Sequence, residues 1–235
     1  MNNFIKRILL PFALFLIVGT AKAQIGYDYA QYDLGLGLDI NKVYGDAQTV
    51  VSSKSAHFNF NYNAGPYINY IIEVQTGVLQ GGDSLKTTTG RQFKNDFTAV
   101  MFRGQLQMGE IIDYAESPFA NAFKNLYVSS GVGFVVNHIT DINRASIKTP
   151  GFYTPGELNS NQILIPARIG YEFKVFNSYN EPSFKIDLGY QYNFVLGDSL
   201  DGFTAGNQKD AYSQYSIGIK LAIGGVTSYR KQIHY

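Results

Sequence analysis

Residues 184–196 read FKIDLGYQYNFVL, and their side chains alternate between apolar and polar or small over the first eleven positions. A period of two residues places successive side chains on opposite faces of a β-strand. One face of this segment is aliphatic and aromatic, whereas the other carries Lys185, Asp187, Gln191 and Asn193. The segment therefore predicts a strand that lies between an apolar environment and a polar one.

Seven other segments alternate in the same way and are separated by turn residues. Several reach about ten residues, the length that a tilted strand needs to cross a bilayer. Because lipid offers the backbone no hydrogen-bond partners, strands can cross it only as a closed barrel. We therefore predict an all-β fold, an eight-stranded antiparallel up-and-down transmembrane β-barrel. The seven segments start near Tyr32, Phe58, Ile68, Val100, Leu126, Ile163 and Tyr215.

The composition of the 235 residues supports this class and excludes several others. The chain has 18 Tyr, 17 Phe and 24 Gly, a balance typical of aromatic strands separated by turns. Its net charge of +1 lacks the basic field that nucleic-acid binding requires. The absence of cysteine excludes disulfides, thiolate metal sites and a lipid-modified cysteine. We predict no cofactor, no metal and no nucleic-acid partner.

The first 23 residues predict where the chain is located. Residues 1–23 place Lys6 and Arg7 before a short apolar run, residues 8–18, and then the sequence AKA at residues 21–23, which together are typical of a secretory signal peptide cleaved before Gln24. We therefore predict export and an outer-membrane location. The predicted barrel domain spans residues 24–226, and residues 227–235 are a predicted periplasmic tail.

Charged residues in the predicted strands share one face. The apolar face carries no Asp, Glu, Lys or Arg, whereas the opposite face carries five acids and five bases. The interior of an eight-stranded barrel is only wide enough for its own side chains. We therefore predict a neutral, ion-paired lumen rather than an open pore. The predicted network consists of Asp39, Glu73, Arg103, Arg168, Glu172, Lys185, Asp187 and Lys220.

The predicted connections alternate between long and short, as in outer-membrane barrels with long outer loops and short periplasmic turns. The exception is the central periplasmic connection, residues 110–125. Ser117 and Pro118 predict a helix start there, with Ser at the N-cap and Pro at the first helical position. We expect a short helix that either plugs the barrel mouth or docks a partner, and Tyr114, Phe119 and Phe123 are the predicted docking residues. The long connections are near residues 41–55, 81–95, 141–162 and 197–211, and the short ones near 63–66 and 177–182.

Over essentially all of its mature length, the chain resembles the small outer-membrane barrels of the OmpA transmembrane domain and OmpX type. The resemblance rests on the signal peptide, the eight alternating segments and the loop asymmetry. It implies contact with outer-membrane lipid, including lipopolysaccharide, and a structural or protein-interaction role.

A narrower resemblance rests on three short strings. Residues 34–38 read LGLGL, residues 44–46 read YGD, and residues 91–93 read RQF. These strings are similar to PorG-type barrels, which are attached to the type IX secretion machinery. The resemblance implies a subunit of an envelope secretion assembly, with other envelope proteins as partners.

Two patterns raise the alternative of a lipid-modifying enzyme. The string GDSL occurs at residues 82–85 and 197–200, but the Asp-x-x-His partner of the GDSL hydrolases is missing, and Gly-Asp-Ser is ordinary turn chemistry. His138 and Thr140 have a spacing that resembles the His-x-Ser pair of outer-membrane lipid A deacylases, with Thr in place of Ser. We predict that the chain is not an enzyme.

A soluble exported barrel of the lipocalin type is a further alternative, because alternation does not distinguish the inside of a barrel from its outside. In that arrangement the apolar face would line a pocket for a small lipophile. The strand lengths, the many charges that would coat the outside, and the loop asymmetry favour the membrane barrel.

Overall fold

The computed structural model describes residues 26–114, 117–205 and 209–230. The predicted signal peptide, residues 1–23, lies outside the described residues. Eight strands form one closed antiparallel barrel, in which each strand pairs with the next along the chain and the last pairs with the first. The predicted barrel is therefore confirmed. The strands are β1 (Gly26–Tyr44), β2 (Ser52–Asn63), β3 (Ile68–Gly82), β4 (Gln92–Gln107), β5 (Leu126–Asn143), β6 (Asn159–Phe176), β7 (Pro182–Val195) and β8 (Ala211–Arg230), and two helices, α1 (Met108–Ile111) and α2 (Pro118–Phe123), lie between β4 and β5.

The strands are longer than their alternating segments, since they run from 12 residues in β2 to 20 in β8. Hydropathy alternates only where one face meets lipid, whereas the backbone ladder continues beyond the lipid with polar residues on both faces. The first long connection is therefore only residues 45–51. At the other end, β8 includes residues 227–230 of the predicted tail, and residues 231–235 lie outside the described part of the chain.

The apolar face of the sheet points outward. Leu36 and Leu38 on β1 are largely exposed, whereas Asp39, on the other face of the same strand, is buried in the interior. The same holds on β8, where Ile217 and Ile219 are exposed and Lys220 is buried. The lipocalin alternative requires the reverse orientation and is therefore wrong. Within the described residues, no helix is long and apolar enough to cross a membrane.

The connections divide the barrel into two different ends. Four connections, residues 45–51, 83–91, 144–158 and 196–210, lie at what we call the outer end. The inner end holds residues 64–67, 108–125 and 177–181 together with Gly26 and Arg230.

The exceptional central connection contains the predicted helix. The Ser117 side chain accepts a hydrogen bond from the Ala120 N–H at 3.4 Å, and Pro118 occupies the first turn of α2. The helix start that Ser117 and Pro118 predict is therefore confirmed. The preceding helix, α1, has no such cap, since no side chain caps its first turn.

The interior differs from the sequence expectation in one respect, because its outer part is apolar. The sequence signal was present in residues 97–102, FTAVMF, which are apolar or small on both faces of β4. A strand of this kind has no polar face, which indicates burial on both sides. The apolar cluster consists of Val43, Leu79, Phe93, Phe97, Ala99, Met101, Val135, Leu164, Val195, Leu200, Phe203 and Tyr212.

One glycine on β5 tests the close contact between strands. A Cβ on Gly131 would overlap the backbone carbonyl oxygen of Phe102 and lie 2.8 Å from the Arg103 Cα, both on β4. We expect Gly131→Ala to lower the free energy of unfolding by about 1–3 kcal/mol, because the strands must separate. Urea unfolding in detergent, followed by far-UV circular dichroism, measures this loss. The matched control is Gly104→Ala on β4, where a Cβ meets nothing within 4 Å, and an equal loss in both variants would contradict the prediction.

Candidate functional site

A chain of four charged side chains lies in the inner part of the lumen. Arg168 Nη2 lies 3.2 Å from Asp187 Oδ1, and Lys220 Nζ bridges Asp187 Oδ2 at 2.7 Å and Glu172 Oε1 at 2.6 Å. The hydroxyl of Tyr127 donates a further hydrogen bond to Asp187 Oδ1 at 2.6 Å. All five side chains are buried. Asp187 therefore receives two cations and one neutral donor, which makes it the centre of this group.

Two separate ion pairs and one contact between a histidine and a carboxylate lie elsewhere in the interior. All eight residues of the predicted network lie in the barrel interior, and each has an oppositely charged or titratable partner. The predicted list omitted two partners, Asp33 and His57, although both lie on the same polar face of their strands. The ion pairs are Arg103 with Glu73 and Lys185 with Asp33 at 2.6 Å, and the histidine contact joins His57 Nδ1 to the Asp39 carboxylate at 3.0 Å.

Amide side chains fill the space between these charges. Gln75 Nε2 on β3 donates to Asp39 Oδ2 on β1 at 3.2 Å and to Gln214 Oε1 on β8 at 3.1 Å, so it links strands that are not adjacent. Gln105 and Gln107 both donate to the carboxylate of Glu172, at 3.1 and 2.6 Å. The lumen is therefore occupied by its own hydrogen-bonded side chains.

The outer mouth is filled by the connection between β7 and β8. Leu200 and Phe203 are fully buried, although both belong to a loop. The Phe203 ring meets Phe93 edge-on at a centroid distance of 6.3 Å, and the guanidinium of Arg91 lies 5.8 Å from its centroid. We call residues 196–205 the outer plug.

The inner mouth is filled by aromatic rings. Tyr67 is fully buried and meets the ring of Tyr114 edge-on at 5.6 Å. Two cations cover these rings, since Lys124 Nζ lies 5.1 Å from the Tyr114 centroid and Lys174 Nζ lies 4.9 Å from that of Tyr67. Such contacts are favourable because the ring face is electronegative. The inner mouth is therefore closed by side chains as the outer one is.

The predicted docking residues do not share one environment. Tyr114 is 1% exposed in the inner mouth, so it acts as a plug and not as a docking residue. Phe119 is 74% exposed and Phe123 is 42% exposed, and their rings contact each other at a centroid distance of 4.7 Å. Sequence reasoning could not separate these roles, because an aromatic residue in a connection suits either.

The residues considered for catalysis are not arranged for it. His138 Nδ1 contacts Asn159 Oδ1 at 2.6 Å, whereas the Thr140 hydroxyl donates to the carbonyl oxygen of Lys94. In the first GDSL string, Asp83 accepts hydrogen bonds from backbone N–H groups two and three residues later, which is turn chemistry.

Inside the lumen, Ser55 Oγ donates to Asp39 and not to His57, so that the order of contacts differs from a nucleophilic triad. Among the described residues, no group of three or more His, Asp or Glu side chains could hold a metal ion.

The closed sheet has an apolar outer face, and, apart from the central connection at residues 108–125, the longer loops lie at its outer end. The protein is an outer-membrane β-barrel. A water-exposed barrel would carry polar side chains on the outer face of its sheet. Closed barrels with an apolar outer face are those that cross outer membranes. No known protein family matches the chain, and no curated protein matches its sequence.

Several solved structures have a similar fold. Neisserial surface protein A is 10% identical with a TM-score of 0.49, and the match covers 83% of this chain and 98% of that protein. Ail of Yersinia pestis is 12% identical with a TM-score of 0.44, covering 82% and 98%. OprG of Pseudomonas aeruginosa is 13% identical with a TM-score of 0.38, covering 88% and 99%. The classification of this chain rests on its own closed sheet and apolar outer face.

Proposed function

We propose that this barrel has a structural or protein-interaction role, as one subunit of an envelope assembly. Both mouths are filled by side chains, and the lumen between them is ion-paired. These features favour a binding role of the exposed surfaces over permeation of solutes through the barrel. The outer loops face the medium and, at their base, the headgroups of outer-leaflet lipid, including lipopolysaccharide. The inner end faces the periplasm, where other envelope proteins are accessible.

The observation that carries the proposal is an apolar patch at the inner end. Ile111, Phe119 and Phe123 are 65%, 74% and 42% exposed, and we call these three residues the inner patch. Aromatic residues are enriched in protein–protein interfaces, where they supply much of the binding energy. The Tyr171 hydroxyl donates to the Ala122 carbonyl at 2.7 Å, which ties α2 to the rim of the barrel. The patch is thus held on a fixed support, which reduces the entropy lost on binding.

The size of the native particle tests this proposal. We expect the wild-type protein, released from washed membranes by mild detergent, to migrate as a particle much larger than the barrel alone. The double variant Phe119→Ala/Phe123→Ala should lose the partner and migrate at the size of the barrel, because it removes both aromatic contacts. Native gel electrophoresis with mass spectrometry of the co-purifying proteins measures this.

The matched control is Tyr179→Ala, which removes an 80% exposed aromatic residue from the short turn at the same end. This variant should keep the large particle. A wild-type protein that migrates as a single barrel would contradict the assembly role. A large particle that survives in the double variant would show that its contacts lie elsewhere than on the inner patch.

A further inference from the structure

The outer plug is held in place by carboxylates that accept backbone hydrogen bonds. Asp201 accepts the N–H of Phe203 at 3.0 Å and the N–H of Asp46 at 2.7 Å. Asp210 accepts the N–H of Leu200 at 2.8 Å, and Asp46 accepts the N–H of Ala205 at 2.9 Å. The two buried apolar residues of the plug, Leu200 and Phe203, are thus positioned by Asp210 and Asp201.

Two other outer loops and the plug's own connection contribute cations to this arrangement. Arg91 Nη1 donates to the carbonyl oxygen of Asp46 at 3.1 Å and lies 3.7 Å from its carboxylate. Arg144 donates to the carbonyl oxygen of Gly202 at 3.1 Å, and Lys209 donates to that of Leu196 at 2.6 Å. These last two contacts are to the backbone, so that Asp201 and Asp210, unlike Asp46, have no ion pair with a cation among the described residues.

Asp201 and Asp210 approach the same point from two sides. A Cβ on Gly45 would lie 2.6 Å from Asp201 Oδ2 and 2.5 Å from Asp210 Oδ1. Both carboxyl groups are buried, and Asp46 and Asp198 add further negative charge nearby. Two buried carboxyl groups whose oxygens lie this close to one point resist simultaneous ionisation, because each charge repels the other and neither is well solvated.

We propose that Asp201 and Asp210 form a pH-sensitive latch, which holds the outer plug in the barrel mouth while the pair retains a proton and releases the plug when both carboxyl groups are ionised. Release would uncover the apolar cluster at the outer end, which Leu200 and Phe203 now complete. The latch is separate from the inner patch and does not depend on the proposed assembly.

The direction of the pH dependence follows from the environment of the pair. Burial, followed by the charge of Asp201, raises the pKa of Asp210 to about 8, and burial raises the pKa of Asp201 to about 6. In a released loop, both pKa values return to the ordinary range near 4. The closed plug therefore binds protons more tightly than the open one. Its stability is fully present below pH 4 and is lost progressively as the pH rises to about 8.

Hydrogen exchange of the backbone amides of the outer plug tests the latch without an added ligand or label. The protection factor of a peptide covering residues 196–210, corrected for intrinsic exchange, is measured at pH 5 and pH 8.5 in detergent. We expect the wild-type factor to fall at least a hundredfold between these values, since a pKa difference of one unit corresponds to a tenfold change and the pKa of Asp210 differs by more than two between the closed and the released loop. Asp210→Asn should reduce the fall to about tenfold, because the amide accepts the same hydrogen bond without ionising and only the smaller pKa shift of Asp201 remains.

Two further variants distinguish charge from packing. Asp83→Asn is the matched control in another outer loop, where the N–H of Leu85 holds the pKa of the Asp83 carboxyl below its usual value, and it should reproduce the wild-type fall. Gly45→Ala should lower the protection factor at pH 5 as well, because its Cβ separates the two carboxyl groups at any pH. An equal wild-type factor at both pH values, or an unchanged fall in Asp210→Asn, would overturn the latch.

Discussion

Asp187→Asn is expected to cost the barrel about 3–5 kcal/mol of its free energy of unfolding, the range for removing one partner from a buried ion pair. The carboxylate of Asp187 lies within 3.2 Å of Arg168 and 2.7 Å of Lys220. Asn keeps the volume but removes the charge, so that Glu172 alone remains to balance two buried cations in this group. The amide also offers one oxygen where the carboxylate offered two, although three donors converge there.

Urea unfolding in detergent, followed by far-UV circular dichroism, measures the loss. Asp141→Asn is the matched control, because this exposed residue lies at the outer end of β5 and removes the same charge from the surface. We expect a change within about 0.5 kcal/mol for the control. Similar losses in the two variants would show that the charge of Asp187 is screened in the lumen and that its ion pairs do not stabilise the barrel.

The barrel itself could be predicted from the sequence because lipid imposes a strict rule on it. Every second residue of a membrane strand meets hydrocarbon, so that leucines at residues 34, 36 and 38 alternate with two glycines and are flanked by Asp33 and Asp39, which cannot face lipid without a cost. The same rule places Asp187 and Lys220 in the interior. Where lipid ends, the rule ends as well, and the sequence therefore did not predict how far the strands continue.

The side chains that fill the two mouths of the barrel could not be predicted in the same way. Asp46 and Asp201 are separated by 155 residues and meet only because closure of the barrel brings β1 beside β8. The burial of Leu200 and Phe203 follows from the path of a loop, which no periodicity records. Tyr114 is a similar case, since its place in the inner mouth depends on contact with Tyr67 in the neighbouring turn.

The lumen reverses the usual arrangement of a soluble protein, in which apolar side chains form the centre. Here the outside is apolar and the inner part of the centre is charged, so that burial in lipid determines which face of each strand points inward. A register shift of one residue would move every lumen charge to the lipid face. A shift by two residues keeps the faces but separates partners such as Lys185 on β7 and Asp33 on β1, so the ion pairs between adjacent strands and between strands two apart penalise such shifts as well.

The pair formed by Arg103 and Glu73 allows a separate test of what a single ion pair contributes. Both side chains are buried, and Arg103 Nε and Glu73 Oε1 have no hydrogen-bond partner among the described residues. The pair is thus incompletely satisfied, unlike Asp187, and should contribute less than its desolvation costs. We expect Glu73→Gln and Arg103→Met each to lower the free energy of unfolding by about 3–5 kcal/mol, because each leaves one buried charge without its partner.

The double variant Glu73→Gln/Arg103→Met should be more stable than either single variant, because it removes both charges and leaves the lumen electrically balanced. Urea unfolding of all four proteins closes a double-mutant cycle and gives the coupling between the two residues directly. A loss in the double variant equal to the sum of the single losses would contradict this account. It would mean that each side chain stabilises the barrel through other contacts, such as that of Arg103 Nη1 with Ser129 Oγ at 3.4 Å.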